Sequence, residues 1–313
     1  MFTWRVCAIV VFLAGCGACA VDIHPTVIPT EAVSRMGELW EQPADISKAD
    51  LLNGPWGADR APNPDEKYTF LRKKRRGSNT GLTVNDSRGR EWHIKQGREA
   101  EPEVVLSHVL SAVGYHQPPV YFLPSFTLTD SAGQHTERGG RFRLHDSTLK
   151  NRGEWSWDQN PFVGTPAYEG LLVILVLFNS ADLKNENNTL YEVKRKNEES
   201  TSWFVVRDLG SSLGQTSRFL ARINKPDVFE TDGFITGVSD GYVRFAYHAK
   251  HSNLVQHRIR PEGVAWATGL LSELSDRQWH DAFAGAGYTP SVAERFIRRI
   301  HQKIEEGQQF KSR

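Results

Sequence analysis

The run GLLVILVLF at residues 170–178 is apolar on every face of a helix. Such a helix must be packed inside a protein, so the fold has to wrap around it. The run then stops on acids and amides, NSADLKNENN. A second apolar stretch, WFVV, halts in turn on Asp208, with Gly210 two residues further on. The two arrests supply Asp182, Asn187 and Asp208, oxygen-bearing side chains that can converge on one ligand.

Composition narrows the choices. With 313 residues, 39% hydrophobic and 24% charged, the chain suits one or two soluble globular domains. Lys+Arg 38 against Asp+Glu 37 leaves a net charge of +1, so no global field calls for nucleic acid. Cys7, Cys16 and Cys19 are the three cysteines, which leaves the folded body no disulfide framework and no cysteine-based zinc site. The eleven histidines include no H-E-x-x-H pattern.

The N-terminus carries Arg5 and then an apolar stretch, residues 6–14. It is too short to span a bilayer core of about 30 Å and has the length of a signal-peptide core. Leu13-Ala14-Gly15-Cys16 resembles the lipobox of bacterial lipoproteins, which implies lipidation of Cys16. A rival cut after Ala18-Cys19-Ala20 fits ordinary secretion. Either way the body is expected outside the cytoplasm, in the cell envelope, touching membrane through the lipid anchor only.

Beyond residues 1–20, residues 21–66 read as a Pro- and acid-rich tether with a short helix near residues 31–40. Strands follow: YTFLRKK, a GSNTG loop, and LTVNDSRGREWHIKQG around a turn at residues 86–89. EPEVVLSHVLSAVG has helix punctuation, with Pro102 in its first turn and Gly114 past its end. PPVYFLPSFTLTD reads as two strands parted by Pro124, followed by a Gly/Arg-rich connection. Past the buried helix come a hairpin, TLYEVKRKNEESTSWFVVRD, a second hairpin about Asp240-Gly241, and three helical patterns. The expected boundaries are residues 67–135 for a strand-rich part and 136–313 for a helix-rich part.

Asp182-Leu183-Lys184-Asn185-Glu186-Asn187 resembles the D-L-K-P-E-N catalytic loop of protein kinases, and Asp208-Leu209-Gly210 resembles their D-F-G turn. Trp92-His93-Ile94-Lys95 resembles V-A-I-K, and Gly77-Ser78-Asn79-Thr80-Gly81 a shortened glycine-rich loop. Glu103 opens the next helix, where the family places the lysine's partner. The order is that of kinases throughout, and is most similar to the HipA-type and CotH-type kinase-like branches. The resemblance implies an α+β, bilobal protein-kinase-like fold, with a small antiparallel-sheet N-lobe plus one helix and a larger, mainly helical C-lobe. It implies ATP and Mg²⁺ as cofactors, with a hydroxyl-bearing acceptor that the sequence does not identify.

In that scheme Gly77, Ser78 and Gly81 approach the phosphates, and Lys95, fixed by Glu103, holds them. Asn187 and Asp208 ligate the metal, Asp182 orients the attacking hydroxyl, and Lys184 meets developing charge. Each residue also has a plainer role: Glu103 suits a helix N-terminus, Lys95 an exposed strand end, GSNTG a hairpin turn, and Asn187 an Asx turn. The pattern departs from the family at His93, where V-A-I-K has alanine, and at Ser180-Ala181, where H-R-D has His-Arg.

Two other readings use different residues. Gly210-Ser211-Ser212-Leu213-Gly214 satisfies the G-x-S-x-G pattern of serine hydrolases, with Ser212 as nucleophile and Asp240 and His280 as partners. Alternatively the chain is a catalytically silent kinase-like lipoprotein that binds a partner, for which nine tryptophans and the run EWSWDQNPF suggest an interface.

Overall fold

The computed structural model describes residues 30–73, 81–194 and 199–312. The signal-type segment with Cys16, and Gly77 and Ser78 of the glycine-rich loop, lie outside the described residues. In chain order the elements are α1 (Thr30–Ser34), β1 (Lys67–Lys73), β2 (Gly81–Asn85), β3 (Glu91–Lys95), α2 (Ala100–Ala112), β4 (Val120–Asp130), β5 (Gly133–Leu144) and β6 (Leu149–Asn151). Then follow α3 (Pro166–Leu177), β7 (Asn188–Val193), β8 (Thr201–Val206), α4 (Pro226–Phe229), β9 (Ile235–Ser239), β10 (Tyr242–Phe245), α5 (Pro261–Leu271), α6 (Asp276–Gly285) and α7 (Pro290–Gln308). The fold is α+β.

Five strands close a barrel in the order β1-β2-β3-β5-β4, antiparallel except where β4 meets β1. Period-two alternation turns Leu82, Val84, Trp92, Ile94, Phe142 and Leu144 inward. Gly81, Thr83, His93, Lys95, Arg141 and Arg143 therefore face outward. Two sequence expectations change here. The Gly/Arg-rich connection is most of β5, and the sheet runs to Leu144, past the boundary expected at residue 135. Pro124 does not divide two strands. β4 runs through it, with Leu123 opposite Gly140 and Ser125 opposite Arg138, while the inward face switches from Tyr121 and Leu123 to Phe126 and Leu128. Gly139 permits that switch, since a Cβ there would lie 2.0 Å from the Leu123 carbonyl oxygen.

Residues 30–66 are a strap rather than a tether. Leu39, Ile46 and Leu51 are buried in the main core. The Trp40 indole donates to the Val113 carbonyl (2.7 Å) and the Trp56 indole to that of Gln117 (2.9 Å). The aromatic residues of EWSWDQNPF are likewise internal: Trp155, Trp157 and Phe162 are buried, and Trp155 Nε1 donates to Val205 O at 3.0 Å. The run offers no aromatic interface of the kind the partner-binding reading expected.

Helix α3 starts at Thr165, whose hydroxyl accepts from Tyr168 N–H, and is buried along nearly all its length. Its end answers why the apolar run stops. Asn179 takes a left-handed conformation (φ 54°), Ser180 N–H donates to Leu175 O and Asn179 N–H to Val176 O. This is a Schellman C-cap with asparagine in the place glycine usually takes. Lys303, fully buried on α7, donates to Leu177 O (2.9 Å) and Asn179 Oδ1 (3.0 Å), and lies over the Phe229 ring.

Burial pushes the Lys303 amine down from 10.5 to about 7; Arg299 adds to the shift, and Asp232 and Glu306 oppose it. Between those two values the folded chain binds fewer protons at this site than the unfolded chain, so stability should rise with pH across that window. Urea unfolding at pH 7 and pH 9 should show the rise in wild type and a smaller one in Lys303→Met. An equal rise in both would contradict the assignment.

Candidate active site

Strand register builds the site. Pairing of β2, β3 and β5 lines up Gly81, Lys95 and Arg141 in one row, and Thr83, His93 and Arg143 in the next. Helix α2 presents Glu103 from its first turn to the same face. Lys95 Nζ lies 2.9 Å from Glu103 Oε2, 2.9 Å from Glu99 Oε2 and 2.6 Å from Asp208 Oδ1. Glu103 Oε1 meets Arg141 Nε at 2.8 Å and pairs with Arg143 Nη2, which also donates to the Arg207 carbonyl (2.8 Å). Lys95 is not an exposed strand end, and Glu103 does more than sit at a helix N-terminus: both are buried.

Charge explains why this burial is tolerated. Burial alone raises the Glu103 carboxyl, but Arg141, Lys95 and Arg143 together override it and hold the pKa at about 2. Burial works against the Lys95 ammonium, and Glu103, Asp208 and Glu99 override that and raise it above the ordinary lysine range.

The two arrests are stitched to each other. Ala181 N–H donates to Ser211 O, Leu213 N–H to Phe178 O, and Arg207 N–H to Asn187 O, at 2.8–2.9 Å. Asn179 Nδ2 donates to Gly214 O (2.6 Å) and to Asp232 Oδ2 (2.7 Å). Gly210 has to be glycine, because a Cβ there would lie 2.5 Å from Glu99 O at the start of α2. Asn187 is buried and donates from Nδ2 to Asp182 O at 2.6 Å. Asp182 and Lys184 pair with each other at 2.8 Å.

Between the barrel and the β6-β7-β8 sheet lies a cleft of about 770 Å³. Gly81, His93 and Lys95 line it from one side, Asn187 and Asp208 from the other. Asp182 and Lys184 do not line it; they stand beside it, joined through Asn187. A divalent cation fits the donors present. With Asn187 Nδ2 anchored, its Oδ1 is left to accept, and Asp208 keeps Oδ2 free while Oδ1 meets Lys95. An amide and a carboxylate oxygen, with water completing the shell, are ligands Mg²⁺ accepts.

His93 sits in the cleft wall with Nδ1 3.3 Å from Thr83 Oγ1. Burial pushes its imidazole down to about 4; Glu91 opposes the shift, and Arg143, Arg141 and Arg72 deepen it. The ring is neutral at pH 7.

The serine-hydrolase reading is overturned. Ser212 is buried with Oγ donating to Leu209 O (2.7 Å). Asp240 sits on the β9–β10 turn beside Arg244, and His280 faces Glu294 from α6 (3.6 Å). Residues 212–225 contain no helix, so there is no strand–turn–helix elbow at Ser212. Sequence reasoning missed Arg141, Arg143 and Glu99. The signal for the arginines is the alternation Arg141-Phe142-Arg143-Leu144, a half-buried strand pattern.

No protein-family model matches the chain, and no curated protein matches it. Among solved structures it is similar to the proinflammatory kinase CtkA of Helicobacter pylori, with a TM-score of 0.42 and 9% identity over 79% of this chain and 98% of that one. It is also similar to the golgi casein kinase, with a TM-score of 0.41 and 9% identity over 89% of this chain and 86% of that one. At TM-scores below 0.5 neither likeness bears on what this chain does.

Glu103→Gln leaves three cations facing a neutral amide in a buried site, and should cost about 3–5 kcal/mol at pH 7 in chemical denaturation. Because the folded pKa of Glu103 is depressed, its contribution is fully present above 4.5 and is lost as pH falls towards about 2. Wild type should therefore lose more stability over that acid range than Glu103→Gln. A cost below about 1 kcal/mol would mean the cations do not depend on this carboxylate.

Proposed function

We propose that the protein is a kinase-like phosphotransferase that moves the γ-phosphoryl group of ATP to a hydroxyl with Mg²⁺ as cofactor. The observation that carries this reading is the convergence of Lys95, Glu103 and Asp208 at the end of one cleft, with Asn187 presenting a free amide oxygen beside them. A transferring phosphoryl group needs positioning and charge stabilisation more than covalent help. Mg²⁺ held by Asn187 and Asp208 would supply that stabilisation on the phosphate oxygens. Lys95 moves from Asp208 to the phosphates when they arrive, and Glu103 keeps it in place. Gly81, opposite Lys95 at the start of β2, lets the donor approach backbone closely.

Asp182 orients the acceptor hydroxyl and takes its proton, with Lys184 beside it against developing negative charge. The pair stands outside the cleft lining, so the acceptor meets the donor's reacting end from that side. The acceptor class, protein, sugar or lipid, is not fixed by these residues. The Leu13-Ala14-Gly15-Cys16 segment supports export and lipid anchoring through Cys16, and with them a reaction in the cell envelope.

Calorimetry with Mg²⁺ and ATP on the protein lacking residues 1–20 tests the site. Binding should require the metal and weaken at least ~10-fold, about 1.4 kcal/mol, in Asp208→Ala and in Lys95→Met. No binding at millimolar nucleotide would reject the reading and leave a silent kinase-like scaffold.

A further inference from the structure

The outer half of the cleft is not used by that scheme. Burial orders the cleft: Lys95 and Arg141 lie deep, at 7% and 6% exposure, while Lys73, Lys150 and Lys194 stand exposed at its mouth. Eight arginines and lysines line it against three carboxylates, Asp146, Glu186 and Asp208. The whole chain is close to neutral, so this is a local concentration of positive charge.

Of these cations Lys95, Arg141 and Arg143 are matched by Glu103, with Glu99 also on Lys95, and Arg72 by Glu91, so the surplus lies with the outer ones. Asp146 is held by Arg60 and Thr148, Asp208 by Lys95, and Glu192, opposite Lys150 on β7, by Arg152. Among the described residues, the Lys73, Lys150 and Lys194 ammonium groups and the Arg207 guanidinium make no ion pair or hydrogen bond.

The wall between these two ends carries polar groups among apolar ones. His93 stands where the sequence pattern would put a small apolar residue beside a nucleotide base, and Thr83 and Arg143 flank it. Leu82, Ile94 and Leu144 of those strands pack into the barrel core and meet the cleft at their edges, and Pro118, Leu149 and Tyr191 add apolar surface to its lining. A purine is held between apolar surfaces with a few polar contacts at its edge. A chain of phosphates instead needs cations along its length.

We propose that the cleft holds phosphate along its whole length, so that the preferred phosphoryl donor is inorganic polyphosphate, of which the triphosphate of ATP fills only the inner end. The inference rests on the phosphotransferase reading, because it places the donor's reacting end at Lys95, Asn187 and Asp208. In the step itself the acceptor oxygen bonds to the terminal phosphorus while the bridging P–O bond breaks. The hydroxyl proton passes to Asp182. The electron pair stays on the chain, now one phosphate shorter, whose new terminal oxygen faces Lys95.

Calorimetry of the protein with Mg²⁺ at about 0.15 M salt would compare ATP, tripolyphosphate and a polyphosphate of about fifteen phosphates. The comparison includes Lys150→Ala/Lys194→Ala and a control, Lys225→Ala/Lys250→Ala, whose lysines are exposed outside the cleft. Tripolyphosphate should bind within about 3-fold of ATP, and the long chain at least ~10-fold tighter. That gain should vanish in the cleft variant and persist in the control. ATP binding ~10-fold tighter than tripolyphosphate would show that the base is recognised and overturn the inference. So would equal losses in the two double variants, which would mark general charge attraction. Binding of neither triphosphate, with Asp208→Ala unchanged from wild type, would instead sink the phosphotransferase reading itself.

Discussion

One carboxylate organises the active face of the barrel. Glu103 is almost wholly inaccessible and touches Lys95, Arg141 and Arg143. Taking each of these ions out of water costs several kcal/mol, so no single pair here would be favourable on its own. The attraction of three cations wins, as the low pKa of about 2 for Glu103 records. The consequence is geometric. Helix α2 is fixed against β3 and β5, Lys95 is aimed at Asp208, and Arg143 reaches on to the carbonyl of Arg207. Remove the carboxylate and Arg141 and Arg143 lose their shared partner, while Lys95 keeps only Glu99 and Asp208.

The other side of the cleft depends on how α3 ends. Its left-handed Asn179 cap turns the chain out of the core at one point, and the same side chain reaches Gly214 and Asp232. Lys303 from the last helix closes that arrangement from behind. Residues far apart in the chain therefore hold one short loop, the loop that carries Asp182, Lys184 and Asn187. The close approach of Gly210 to Glu99 then brings this part against the start of α2.

Much of this is readable in the sequence. The all-round apolar run, the hairpins and the C-terminal helices follow from periodicity and turn residues. The Lys95–Glu103 pairing follows from motif order, and the structure has it at 2.9 Å. What could not be read has a common cause. Arg141 and Arg143 look like loop residues because two glycines and an arginine precede them and their partner, Glu103, lies far earlier in the chain. The strap of residues 30–66 looks like a tether because Leu39, Ile46 and Leu51 are isolated in polar sequence, and only tertiary contact reveals them as core. Lys303 reads as one more cation on an amphipathic helix, since nothing local shows that Leu177 and Asn179 await it. Ser212 shows the converse error, a motif match whose strand–turn–helix setting is absent.

Phosphorus NMR of ATP with substoichiometric Mn²⁺ in place of Mg²⁺ reports on the cleft without any acceptor, because the metal broadens the phosphates that sit beside it. Wild type should add strong broadening of the β and γ resonances beyond that of free Mn²⁺·ATP, and Asn187→Ala should abolish the added effect. Lines no broader with wild type than with Mn²⁺ and ATP alone would mean that Asn187 and Asp208 do not hold a metal against phosphate, and that the convergence around Lys95 serves stability alone.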